Sequence, residues 1–322
     1  MRVLFLGGAG MIGSACAAEA VAADIDVTIV TRDEPRRKVP GVRELRADVR
    51  DGDALAAVLG DDEFDSVVNW VGFTPKDVSG HPGLFSGRTD QYVFISTCSV
   101  YGRPVPRLPI TESSPRRQPV FGYARDKIAC ELLLEDEYRK GFPVTIARPF
   151  HTYDRATVPL LAGWTAIERM RAGKPVVVQG DGTSLWCLTH SSDVARALVP
   201  LLGNEQAVGE SVNVVGGDIL TWDQIHLTLA TAAGVRDPVL RHRSSESITT
   251  EVPGWGEVLE HDFRHSMLFD TSKLRTLVPG FAPRVSFAKG ARELVDHHDA
   301  TPGLRKVDHD LGAAFDRLLA RP

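Results

Sequence analysis

An apolar run, Val3-Leu4-Phe5-Leu6, leads into Gly7-Gly8-Ala9-Gly10-Met11-Ile12-Gly13 and then into an alanine-rich stretch over residues 14–23. The run reads as a strand buried on both faces, and the stretch after the glycines reads as a helix. A chain that turns from strand to helix within a few residues needs glycine, which tolerates a tight turn and close backbone approach. The amides and positive dipole end of such a helix can seat a pyrophosphate. Strand before and helix after supply the context that a bare glycine pattern lacks. Gly7, Gly10, Met11, Ile12 and Gly13 are therefore candidate dinucleotide contacts.

Strand and helix patterns then alternate. Strands are expected at 27–31, 43–47, 66–71, 92–96 and 144–148, with helices between most of them. Such alternation builds a doubly wound, parallel α/β sheet with right-handed crossovers. After Arg148 the rhythm changes to a helix at 164–172, a short strand at 176–179 and a helix at 222–233 that Thr221 can cap. The expected division is a dinucleotide-binding domain at 1–150, with return segments near 185–218, and mainly a smaller α/β substrate lobe at 151–322. Residues 296–322 read as a loosely attached helical tail. The Gly- and Pro-rich segment 72–91 has room for only a rudimentary helix.

Tyr123 and Lys127 are four residues apart on an expected helix, so they share one face and can work on one bound molecule. A free tyrosine, with a pKa of about 10, is a poor base at neutral pH, and a neighbouring ammonium lowers that value. Upstream, Phe94-Ile95-Ser96-Thr97-Cys98-Ser99 is an apolar strand ending in hydroxyl residues, at the edge where open parallel sheets bind ligands.

Composition narrows the partners. A net charge of -5 over 322 residues argues against a nucleic-acid footprint. No apolar run reaches membrane-spanning length, and the N-terminus enters the first strand with no signal peptide. The four cysteines, Cys16, Cys98, Cys130 and Cys187, are scattered without metal spacing, as expected of reduced thiols in a cytoplasmic protein without a bound metal.

The spacing Gly7-x-x-Gly10-x-x-Gly13, the strand end Ser96-Thr97-x-x-Val100-Tyr101-Gly102, the Tyr123/Lys127 pair and Arg148-Pro149-Phe150 follow one another in a familiar order. Together they resemble the extended short-chain dehydrogenase/reductase family, the NAD-dependent epimerases and dehydratases that act mostly on sugar nucleotides. The similarity runs over about residues 1–287. It implies a Rossmann-type fold in which Thr97 binds the substrate oxygen, Tyr123 is the acid/base and Lys127 anchors the ribose. It further implies adenine contacts at Asp48 and Val49, and contacts along the nicotinamide half at Val71, Gly72 and Phe150. Full-length relatives carry a long helix across their dimer interface where this chain has 72–91. The chain thus resembles a shortened, atypical subgroup that includes plastid RNA-associated proteins, which implies a monomer or a homodimer built differently.

Cofactor choice turns on the end of the second strand. NAD-binding relatives place an acid there; this chain has Thr31-Arg32, with Asp33 one step late and Arg36, Arg37 and Lys38 beyond. Arg32 leans to the 2'-phosphate of NADP, whereas a hydride returned within one turnover suits tightly held NAD. Both stay open.

Departures from the family pattern bear on substrate and reaction. His151 stands where nucleotide-sugar members carry asparagine, and Trp186, within Gly180–Leu188, where they carry arginine. Loss of a charge-assisted phosphate contact favours stacking on an apolar face over binding a diphosphate. The expected substrate is a sugar, nucleoside or glycoside met by Phe73, Thr74, His151, Thr152, Trp164, Trp186 and His190. After Thr97 comes Cys98-Ser99 instead of the Asp-Glu pair of typical 4,6-dehydratases. Cys98 reads both as a catalytic candidate for a dehydratase and as a small packing residue. The expected function is an NAD(P)-dependent epimerase or dehydratase working through a transient ketone. The alternatives are a net NADP(H)-dependent carbonyl reductase or alcohol dehydrogenase, and a non-catalytic RNA-associated or nucleotide-sensing scaffold.

Overall fold

The computed structural model describes residues 1–35, 37–118 and 120–320. Seven strands form one parallel sheet: β1 (Arg2–Leu6), β2 (Asp26–Thr31), β3 (Arg43–Arg46), β4 (Ser66–Asn69), β5 (Tyr92–Ile95), β6 (Val144–Pro149) and β7 (Ser211–Val214). Their order is β7-β6-β5-β4-β1-β2-β3. The chain winds outward in opposite directions from the β1/β4 pair, which opens a crevice at the carboxyl ends of those two strands. This is a Rossmann-type, doubly wound α/β sheet.

The inner strands are continuous apolar runs because helices cover both of their faces; Val3 to Leu6, Val67, Val68 and Tyr92 to Phe94 are fully buried. The outermost strand, β3, is Arg-Glu-Leu-Arg and mostly exposed. The opposite edge, β7, is covered by the short helix Ser272–Leu277. The helix α1 (Met11–Ala22) buries Gly13, Cys16, Ala17 and Ala20, a stripe at helical spacing whose small side chains let it lie close to the sheet and to the helix Ser191–Leu198.

The remaining residues build a lobe with its own aromatic core, which also takes in Cys98, Val100, Tyr101 and Ile110. The helix Trp164–Arg171 is followed by the strand Val176–Gln179, which pairs with Leu240–Arg243. The helix Trp222–Ala232 begins with a capping box, Thr221 accepting from the Gln224 amide while Gln224 accepts from that of Thr221. Between β4 and β5 stand only the turn Pro75–Asp77 and a five-residue helix, His81–Phe85.

The tail differs from the loose appendage expected. Residues 296–300 complete the helix Phe287–Ala300, which packs on Trp222–Ala232. The last helix, His309–Ala320, buries Phe315 and Leu318 in the lobe core. Arg169 ties it down through the Gly312 carbonyl (3.0 Å) and Asp316 (2.6 Å). Two apolar residues three apart on a short amphipathic helix were the available sequence signal. Among the described residues no helix is long and apolar enough to cross a membrane, and no three His, Cys, Asp or Glu side chains are placed to hold a metal.

Candidate active site

The crevice holds two adjoining cavities that share Gly8, Gly10 and Val71. One, of ≈ 380 Å³, is walled by Gly7 to Gly10, Val30 to Pro35, Asp48 to Arg50 and Val71. The other, of ≈ 500 Å³, is walled by Met11, Ile12, Gly13, Trp70, Phe73, Thr97, Tyr123, Lys127, Phe150, His151 and Thr152, among others.

The glycines between them are each needed for a different reason. Gly7 and Gly8 have φ of 82° and 89°, the left-handed region. A Cβ on Gly13 would collide with the Gly8 backbone, so the third glycine is what lets α1 pack against the turn. A Cβ on Gly10 would meet nothing within 4 Å. Gly10 is also the N-cap of α1, with no side chain to satisfy the first amides. An open cradle of uncapped amides joining two cavities fits a nicotinamide dinucleotide with its pyrophosphate on α1.

Tyr123 and Lys127 lie one turn apart at the start of the helix Gly122–Arg139. The Lys127 ammonium donates to the carbonyls of Gly72 (2.8 Å) and Ile95 (2.7 Å), between the rings of Phe73 and Phe94. Two of its three N–H groups are thereby committed, leaving one for a ribose hydroxyl. Burial draws its pKa down to about 8. Tyr123 is 40% exposed as a residue. Desolvation raises its phenol above the usual range, and the hydrogen bond with Thr97 opposes that rise only in part. The expected lowering of Tyr123 by Lys127 is therefore not the dominant effect in this state, because the ammonium is turned to backbone carbonyls.

A hydrogen-bonded chain continues from Thr97 into the lobe. Thr97 Oγ1 accepts from the Ser99 amide at 3.1 Å, Ser99 Oγ donates to Asp262 at 3.2 Å, and Asp262 is ion-paired with Arg103 at 2.6 Å. Burial pushes the Asp262 carboxyl up, against the pull of Arg103. Sequence reasoning missed Asp262, Arg103 and Trp70. Nothing in the local pattern ties residue 262 to the strand end at 97; Trp70, directly after β4, could have been found by its position at the strand's carboxyl end.

Of the other expected contacts, Asp48, Val49, Val71 and Arg32 line the smaller cavity, and Phe73, Phe150, His151 and Thr152 the larger. Gly72 serves through its carbonyl on Lys127. Arg32 is exposed and paired with Asp33, Lys38 pairs with Glu34, and Arg37 is bound to Asp154. Arg36 lies outside the described residues. Thr74 is taken up by the turn at Pro75–Asp77, where it hydrogen-bonds Asp77.

Four expectations are corrected. Trp186 is 1% exposed, packed 4.7 to 5.0 Å from Phe150, Phe263 and Trp222, and its indole donates to His151 Nδ1 at 2.7 Å. An indole whose N–H is satisfied gains more from enclosure by aromatic rings than from facing water, so it fills the lobe core instead of offering a stacking face. Trp164 stacks on His298 at 4.6 Å, drawn to the C-terminal helices by its place on the helix Trp164–Arg171. His190 caps the helix Ser191–Leu198 and faces Glu293. Cys98 is fully buried, its thiol donating to the Arg148 carbonyl at 3.0 Å, and burial holds the thiol pKa far above normal. It sits behind the strand end, off the cavity wall.

Comparison with known proteins follows the same lines. A chloroplast stem-loop binding protein of 41 kDa b from Arabidopsis thaliana is 25% identical over 306 residues, covering 90% of this chain and 77% of that protein. A dTDP-glucose 4,6-dehydratase from Streptomyces niveus is 30% identical over 332 residues, covering 92% of each. The solved UDP-glucuronic acid 4-epimerase from Bacillus cereus, a complex with NAD, shares the fold, with a TM-score of 0.71 at 22% identity over 94% of this chain and 98% of that one. Residues 3–80 and 84–215 match the model of the NAD dependent epimerase/dehydratase family. The chain belongs to that family and is an NAD-dependent enzyme of the epimerase/dehydratase type.

Proposed function

We propose that this enzyme epimerises or dehydrates a sugar-like or nucleoside substrate without a diphosphate handle, residues 1–150 holding the dinucleotide and the lobe over 151–322 most of the substrate. The observation that carries this is the convergence of Thr97, Tyr123 and Lys127 on the cavity that Gly10 and Gly13 open. Thr97 holds the reacting oxygen, Tyr123 takes and returns its proton, and Lys127 positions the ribose. A bound nicotinamide, its ribose held by Lys127, would supply reversible hydride transfer at the carbon bearing that oxygen. The ketone formed meanwhile acidifies the neighbouring C–H, so inversion or elimination follows. In support of the substrate class, His151 and Trp186, which the family resemblance sets where nucleotide-sugar members carry phosphate ligands, are tied to each other within an aromatic cluster. The short helix His81–Phe85 supports a monomer or a homodimer formed through another face.

The test is turnover followed alongside absorbance at the reduced-nicotinamide band, after mass spectrometry of the denatured protein has identified any retained NAD or NADP. Internal redox chemistry gives product with no net absorbance change. Arg32 in the adenosine-side cavity favours a second reading, a net NADP(H)-dependent reductase. Product accumulating only in step with added reduced cofactor would establish it. The scaffold reading has in its favour only the similarity to a stem-loop binding protein, against a net charge of -5. Salt-sensitive RNA binding without any turnover would be its signature.

A further inference from the structure

A third cavity, of ≈ 500 Å³, lies against α1 and shares only Met11 with the dinucleotide crevice. Arg37, Lys38, Arg155 and His297 line it, facing a single carboxylate, that of Asp154. Asp154 is fully engaged: one oxygen takes Arg37 and the other the Ala156 amide at 3.0 Å. The Lys38–Glu34 pair is exposed on both sides and holds its charge only weakly. Arg155 is exposed and makes neither hydrogen bond nor ion pair among the described residues. His297 is held below its usual pKa, first by desolvation and then by the Arg155 charge. In a chain of net charge -5 this is a local reversal of sign inside a concave wall.

We propose that this cavity binds a phosphate-bearing small molecule, a monoester or diphosphate, at a site separate from the dinucleotide crevice. Two guanidinium forks, an ammonium and an imidazole line it from three parts of the chain, and the Ser191 hydroxyl adds a neutral donor. A phosphate offers enough oxygens to engage such a set, whereas a carboxylate offers two. The cavity is roomier than a lone phosphate requires, which leaves space for an organic group. The site also touches both flanks of the crevice. Arg37 follows the Arg32–Pro35 wall of the smaller cavity, and Asp154 follows Thr152 in the larger. An anion that draws Arg37 from Asp154 loosens the tie between those flanks, so its binding and cofactor binding influence each other reciprocally.

The experiment is calorimetric titration of inorganic pyrophosphate into protein saturated with NAD, at fixed ionic strength. One saturable site is expected, weakened at least tenfold in Arg155→Ala and in His297→Ala, with melting temperature and NAD affinity kept. Arg155→Glu, at an exposed position, provides a second variant should His297→Ala fold poorly. The proposal fails if NAD-saturated protein shows no saturable site, if the variants bind pyrophosphate as the native protein does, or if sulfate binds equally well. It fails too if the variants weaken NADP but leave pyrophosphate binding intact, since the cluster would then belong to the cofactor site.

Discussion

Trp186 donates its indole N–H to Nδ1 of His151 at 2.7 Å, fixing that nitrogen as an acceptor and the ring as neutral. Burial holds the His151 pKa down at about 4, against about 6.5 in an unfolded chain. Between those values the unfolded state binds a proton that the folded state does not. Stability therefore falls as pH drops from ~6.5 towards 4, by up to ~3 kcal/mol from this residue. His151→Gln keeps an acceptor for Trp186 and removes the titration. Its urea midpoint should fall less than the native one between pH 7 and 4.5; identical acid slopes would show that His151 titrates normally.

Gly10→Ala and Gly13→Ala should part company. The Gly10 methyl meets no protein atom within 4 Å and stands between the two cavities, so the fold survives and cofactor affinity drops at least tenfold. The Gly13 methyl collides with the Gly8 backbone, so stability itself falls, by about 1–3 kcal/mol. Melting temperature and NAD titration, measured on both, separate the two roles.

Tyr123→Phe should lower turnover by about 10²–10⁴-fold, the usual worth of a general acid/base, with NAD affinity changed little. Full activity in this variant would remove Tyr123 from the mechanism.

Cys98→Ala should leave turnover within a few-fold of native, since the thiol donates to a backbone carbonyl and is kept protonated by burial. A loss of activity comparable to that of Tyr123→Phe, in a variant that melts normally, would return the thiol to the chemistry.

Arg148 and Glu131 form a buried ion pair through two bonds, at 2.9 and 2.7 Å. Burial alone would raise the Glu131 carboxyl; the hydrogen bonds and charge of Arg148 bring it below its usual range instead. Glu131→Gln leaves the guanidinium uncompensated in the interior and should cost about 3–5 kcal/mol. Arg148→Met combined with Glu131→Leu should cost less than either single change, read from urea denaturation.

The positions of the strands along the chain, the glycine turn and the Tyr123/Lys127 pair were legible because each rests on short-range pattern: apolar runs, a spacing of three, a spacing of four. Strand ends fell within about two residues of those expected. Position against the family pattern misplaced Trp186, and the expected place of their segments at the sheet edge misplaced Trp164 and His190, because aromatic and imidazole rings suit a core as well as a ligand. Only the partners, His298 for Trp164 and Phe150, Trp222 and Phe263 for Trp186, decide between the two, and those partners are remote in sequence. Asp262 was invisible for the same reason: its meaning comes from Ser99 and Arg103.

The two margins of the sheet also bear on how the protein behaves in a crowded solution. A foreign strand adding to β3 would have to dehydrate Arg43, Glu44 and Arg46, a standing deterrent to fibre-like growth. The β7 margin has no charge of its own: the Glu112 carboxylate takes its Asn213 amide at 2.9 Å, and the six residues of Ser272–Leu277, anchored by the fully buried Leu274, pack against it. Should that short cover peel away, the backbone of β7 becomes a template for any extended peptide, so the protein's weak point for self-association lies on the far side of the sheet from its charged strand.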